Sequence, residues 1–129
     1  VQVARRGLGG APVKAGKLAH SGLILKTAGG EHYLLEYGIG DKHETVLKKL
    51  PDSPNLGEVA EVVVDGTTWS KQVIGQDIQG DYKPETLKKM METITAARGQ
   101  YNIRTNNCHM AQEDLRKAIG LEVRDEYKP

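Results

Sequence analysis

One cysteine, four histidines and a few carboxylates carry the chemistry this 129-residue chain can offer. The cysteine stands in Thr105-Asn106-Asn107-Cys108-His109-Met110-Ala111-Gln112. Thr105 and Asn106 are good helix N-caps, so Cys108 is expected in the first turn of a helix running from about Asn106 to Ile119 and closed by Gly120. Unpaired N–H groups and the helix dipole favour negative charge at such an end, which lowers a thiol pKa and offers donors to an oxyanion. Cys108, Ala111, Leu115 and Ala118 share one face of that helix, which predicts a thiol at the edge of the core.

A thiol nucleophile needs a base. His109 adjoins Cys108, but neighbours on a helix point about 100° apart, which argues against it. His20 lies in the apolar run Leu18-Ala19-His20-Ser21-Gly22-Leu23-Ile24-Leu25, where a polar ring needs a reason. The next apolar run, Tyr33-Leu34-Leu35-Glu36-Tyr37-Gly38, supplies Glu36, which an antiparallel pairing can set beside His20 to orient the imidazole. Asp41 and His32 are the nearby substitutes. The residue types therefore predict a catalytic group of Cys108, His20 and Glu36. Asn107, Gln72 and Trp69 are candidate substrate-binding residues, the last two because the hairpin that carries them could line the cleft.

The elements that must position these residues are readable in part. Residues 1–16 hold four Gly and one Pro without periodicity and read as a flexible arm or linker, leaving 17–129 as a single domain. Residues 17–26 and 31–38 form two strands of a hairpin around the turn Thr27–Gly30. Residues 41–50 fit a short helix or a further strand. The β-branched run 58–64, Asp65-Gly66 and the run 67–74 give the strongest hairpin signal in the chain. Pro84 opens a helix that ends before Gly99, with Leu87, Met90, Met91, Ile94 and Ala97 as its buried stripe. Two hairpins followed by two C-terminal helices predict an α+β domain with an antiparallel sheet packed against both helices.

Composition excludes several classes. A net charge of +1 is too balanced for nucleic-acid binding, and a nuclease built on His20, His109 and Arg104 has no basic patch behind it. No apolar run reaches the roughly 20 residues of a membrane helix, and no secretory leader is evident. A single cysteine rules out an internal disulfide and a Cys-rich zinc site, and His32, His43 and Glu44 match no metal-ligand spacing. No cofactor is expected.

His20-Ser21-Gly22, Glu36 on the next strand, and Asn107-Cys108 at a later helix start, preceded by Tyr101-Asn102-Ile103-Arg104-Thr105-Asn106, resemble the circularly permuted papain-like superfamily, which includes lecithin:retinol acyltransferase-like and PPPDE-type proteins. The resemblance spans residues 17–38 and 99–120. It implies a papain-like fold with the histidine before the cysteine. Cys108 would be the nucleophile, His20 the general base and acid, and Glu36 the orienting residue. The implied activity is thioester chemistry on an amide or acyl group of a protein or peptide: peptidase, deamidase, transglutaminase or acyltransferase. The start at Val1, the loose arm and the small size suit a bacterial polymorphic-toxin or effector domain, delivered within a larger secreted protein and acting in a reducing cytoplasm. A cognate immunity protein would then cover its cleft. The alternative is a catalytically inactive binding module using the same cleft.

Overall fold

The computed structural model describes residues 2–7, 19–39, 42–51, 61–64, 67–73, 82–102 and 105–121. Among the described residues six strands precede two helices: β1 (Gln2–Gly7), β2 (Ala19–Lys26), β3 (His32–Ile39), β4 (Glu44–Lys49), β5 (Glu61–Val64), β6 (Thr67–Val73), α1 (Pro84–Ala97) and α2 (Cys108–Ala118). The strands form one antiparallel sheet in the order β4-β3-β2-β1-β6-β5, and α1 and α2 pack on β2, β3 and β4. The α+β class and the antiparallel sheet with two helices are as expected. Among the described residues no helix is long and apolar enough to cross a membrane.

The β2–β3 hairpin turns at Thr27–Gly30. Gly30 takes φ +86°, and the Thr27 hydroxyl accepts from the Glu31 N–H at 3.1 Å. Its register sets Gly22 opposite Glu36 and Leu23 opposite Leu35. β2 is buried on both faces, which explains its unbroken Leu-Ile-Leu run. Leu23 and Leu25 join Leu35, Tyr37, Leu87, Met91, Ala111, Leu115 and Ile119 in the core under the helices. Ile24 joins Leu34, Leu50 and Trp69 in a second cluster. Each such aliphatic side chain contributes about 1.5–3 kcal/mol on burial.

The arm assigned to residues 1–16 requires correction. Gln2–Gly7 are strand β1, inserted between β2 and β6, and the folded unit therefore begins before residue 17. Its pairing is wholly tertiary, and the Gly-Pro cluster that prompted the arm reading follows it, at positions outside the described residues. Segment 41–50 resolves as strand β4. β5 and β6 pair from Val64↔Thr67; Asp65-Gly66, expected as their turn, lies outside the described residues.

Both helices rotate their buried stripes from the expected lines. In α1, Leu87, Met91 and Thr95 are buried, while Ala97 is exposed. Thr95 is tolerated inside because its hydroxyl donates to the Met91 carbonyl at 2.9 Å. In α2 the stripe is two residues wide, Cys108/His109, Ala111/Gln112 and Leu115/Arg116, and Ala118 is exposed. Arg98 and Asp114 pair between the helices.

Candidate functional site

The site is assembled at the start of α2. Asn107 has extended backbone angles, φ −124° and ψ 177°, and its side-chain oxygen accepts from the Met110 N–H at 2.9 Å. That capping bond makes Cys108 the first helical residue. Just before it, Asn106 fastens the helix start to the rest of the fold. It is 1 % exposed, and its Nδ2 donates toward the Tyr37 hydroxyl and the carbonyls of Thr95, Gly99 and Gln100 at 3.1–3.2 Å.

β2 supplies the facing groups. Its ladder with β3 runs from Gly22 onward, so His20 and Ser21 lie past its end. There the His20 Nε2–H donates to Glu36 Oε1 at 3.0 Å, and Ser21 Oγ lies 2.8 Å from His109 Nδ1. All four side chains are buried, as is Cys108 at 5 % exposure. Trp69 meets the His20 ring edge-on, with centroids 5.6 Å apart and planes at 67°.

The thiol responds to this setting. Burial pushes the Cys108 thiol up. Hydrogen bonds from His109 and His20, with the positive charge of both rings, outweigh burial and hold it down at about 5, against an ordinary 9.0. Tyr101 stands close enough to feel the sulfur: burial raises its hydroxyl first, and the Cys108 charge raises it further. A thiol at this pKa is a thiolate at neutral pH, and its proton has an imidazole to go to. The arrangement can deliver a sulfur nucleophile to a carbonyl and return a proton to a leaving group.

An open groove of about 870 Å³ lies alongside, between the start of β4, the end of α1 and the link to α2. Tyr37, His43, Thr45, Glu92, Gln100 and Tyr101 are among its lining, and His43 stacks on Tyr101 at 4.2 Å. The groove reaches the site through Tyr37 and Tyr101; neither Cys108 nor His20 lines it.

The expected group of Cys108, His20 and Glu36 is brought together. Two other expectations change, and a third falls outside the described side chains. Trp69, expected to line a cleft, is 3 % exposed and supports the His20 ring from the second core cluster. Asn107, expected to bind substrate, is buried and engaged in capping Met110. Gln72 lies on β6 opposite Val3, and its side chain is outside the described residues. Of the substitutes for Glu36, His32 pairs with Lys26 at the far end of the hairpin and Asp41 is outside the described residues.

Sequence reasoning set aside His109, which with His20 holds the thiol pKa down, and did not single out Ser21 as a site residue. The 100° step separates two side chains on a narrow helix stripe, but this stripe is two residues wide. The available signal was a pair of doublets, His20-Ser21 and Cys108-His109, each at the start of its element. No protein-family model, no curated protein and no solved structure matches the chain. Among the described residues no group of three His, Cys, Asp or Glu side chains is arranged to hold a metal.

Proposed function

We propose that the chain is a cysteine-dependent enzyme of permuted papain-like type, acting through a thioester on an amide or acyl group of a protein or peptide. The single observation that carries this reading is the run of contacts from Cys108 on α2 to His20 on β2 to Glu36 on β3. Glu36 accepts from Nε2 of His20, which assigns Nδ1 to the sulfur. The thiol proton passes to Nδ1, the thiolate attacks the carbonyl carbon, and first-turn N–H groups of α2 receive the oxyanion. Collapse breaks the bond to the leaving group, which takes the proton from His20. Water or an amine then attacks the thioester, losing its proton to His20 and restoring the thiol.

The same reading has the domain working in a reducing cytoplasm, as a toxin or effector restrained by an immunity protein over the site. The test is intact-mass spectrometry of candidate proteins incubated with wild type and with Cys108→Ala. Cleavage, deamidation or cross-linking with the wild type alone supports the reading and tells the outcomes apart. Identical spectra from both proteins across substrates and amine acceptors count against it. A catalytically inactive binding module is the second reading, favoured by the burial of Cys108.

A further inference from the structure

β4 is an outer strand of the sheet: among the described residues it pairs only with β3. Just past its end, in the same register, the Leu50 N–H donates to the His32 carbonyl at 2.8 Å. Bonding positions alternate along an antiparallel pair, so Lys48 and Val46 turn their main-chain groups toward β3. Thr45 and Leu47 turn theirs away, to the open edge. Lys48 and Lys49 charge the far end of that edge, a usual guard against unwanted pairing. Thr45, Val46 and Leu47 leave its near half uncharged.

The near half opens on the groove. Thr45 lines it beside its register partner Tyr37. His43 turns the chain into β4 at φ +51°, a region uncommon for histidine, and lays its ring on Tyr101 as an aromatic wall. The groove is fastened to the helix start that carries the cysteine. The Asn106 amide reaches the Tyr37 hydroxyl and the carbonyls of Thr95, Gly99 and Gln100, and all four of these residues line the groove. β2 begins, β3 ends and β4 begins at this one end of the sheet, so the open edge, the groove and His20 share it. The charged lining is balanced, Lys42 and Lys88 against Glu44 and Glu92, which favours no strongly charged ligand.

The geometry points to a peptide-binding edge. An extended segment of the substrate polypeptide adds to β4 as one more strand, bonding to the main-chain groups of Thr45 and Leu47, and its continuation lies in the groove against the His43–Tyr101 stack. Naming this peptide as the substrate rests on the thiol-enzyme reading above; the edge itself does not. Main-chain bonds hold many sequences alike, and the aromatic wall selects among their side chains.

The test uses Cys108→Ala, so that a bound chain is not consumed, with casein as an unfolded polypeptide probe. Amide hydrogen exchange is read over residues 44–49 with and without casein, and affinity by the fluorescence polarisation of labelled casein. Casein is expected to slow exchange in this segment beyond the protection its ladder with β3 gives. Adding Thr45→Pro removes an N–H that β3 does not use, so β4 stays in the sheet. Casein affinity then falls roughly tenfold. Thr45→Ala keeps that N–H and binds as Cys108→Ala alone does. Equal affinity in Thr45→Pro and Thr45→Ala overturns the proposal, as does unchanged exchange over 44–49 in Cys108→Ala, which decides the matter should Thr45→Pro fail to fold. Protection that grows with protein concentration and ignores casein makes the edge a contact between copies of the chain and overturns it too. Protection by casein, in a protein whose wild-type thiol titrates at its ordinary value, supports the edge and removes the enzyme reading. An activated wild-type thiol without protection removes only the edge.

Discussion

The His20 ring and the Glu36 carboxylate meet at 3.0 Å across Gly22, whose register partner on β3 is Glu36 itself. Strand alternation puts residues 20 and 22 on one face of β2, so the imidazole reaches diagonally over a position without a side chain. The hairpin thus builds the proposed base and its proposed orienting group into one local unit. The helix contributes only the sulfur and the second histidine.

Glu36→Gln tests the orienting role. The amide matches the carboxylate in shape but carries no charge and can present either a donor or an acceptor to Nε2. The fold is expected to survive. The imidazolium of His20 loses its counter-charge, the thiol rises, and Cys108 alkylation at about pH 6 drops roughly tenfold. Unchanged alkylation would show that Glu36 is merely a buried partner.

Gly22→Ala tests the geometry. A methyl group there would stand 3.0 Å from the Leu35 carbonyl oxygen and 3.3 Å from Glu36 Cγ. The carbonyl belongs to a paired strand and yields little, so β3 must shift and take Glu36 with it. Denaturant unfolding should show a loss of about 1–3 kcal/mol, accompanied by weaker thiol activation. A fully stable variant with unaltered Cys108 reactivity contradicts the packing described.

Asn107 separates capping from electrostatics. Asn107→Ala removes the bond to the Met110 N–H and should cost about 1 kcal/mol in unfolding free energy. Asn107→Asp keeps a capping oxygen and so retains stability, but it sets a negative charge next to the sulfur. Its thiol midpoint should therefore move up, and alkylation at acid pH should slow. An Asp variant that matches wild type in both measurements would mean that the helix start and the thiol are not coupled.

The sequence made the site more legible than the sheet around it. Cys108 could be located because capping residues announce a helix start. His20 and Glu36 stood out because each interrupts an apolar strand, and alternation brings them to one face. Strand β1 could not be read, since Gln2–Gly7 become a strand only by pairing with β2 and β6. His109 was hidden by the width of the α2 stripe, which depends on how the helix sits on the sheet. Thr95 was hidden because its burial rests on bonds to Met91 and Glu92 and on the approach of Asn106 to its carbonyl. In each case local pattern was overruled by a contact distant in sequence or by the packing of a whole face.

The most direct test of an activated thiol is the rate of Cys108 alkylation by iodoacetamide across pH, in wild type and in His20→Gln. Raising pH through the thiol midpoint increases the thiolate fraction. The wild-type rate should therefore climb to half its plateau near about 5 and stay flat through neutrality, while His20→Gln requires a higher pH. A wild-type rate that rises only toward the ordinary thiol value of 9.0, with His20→Gln superimposed on it, would contradict the account.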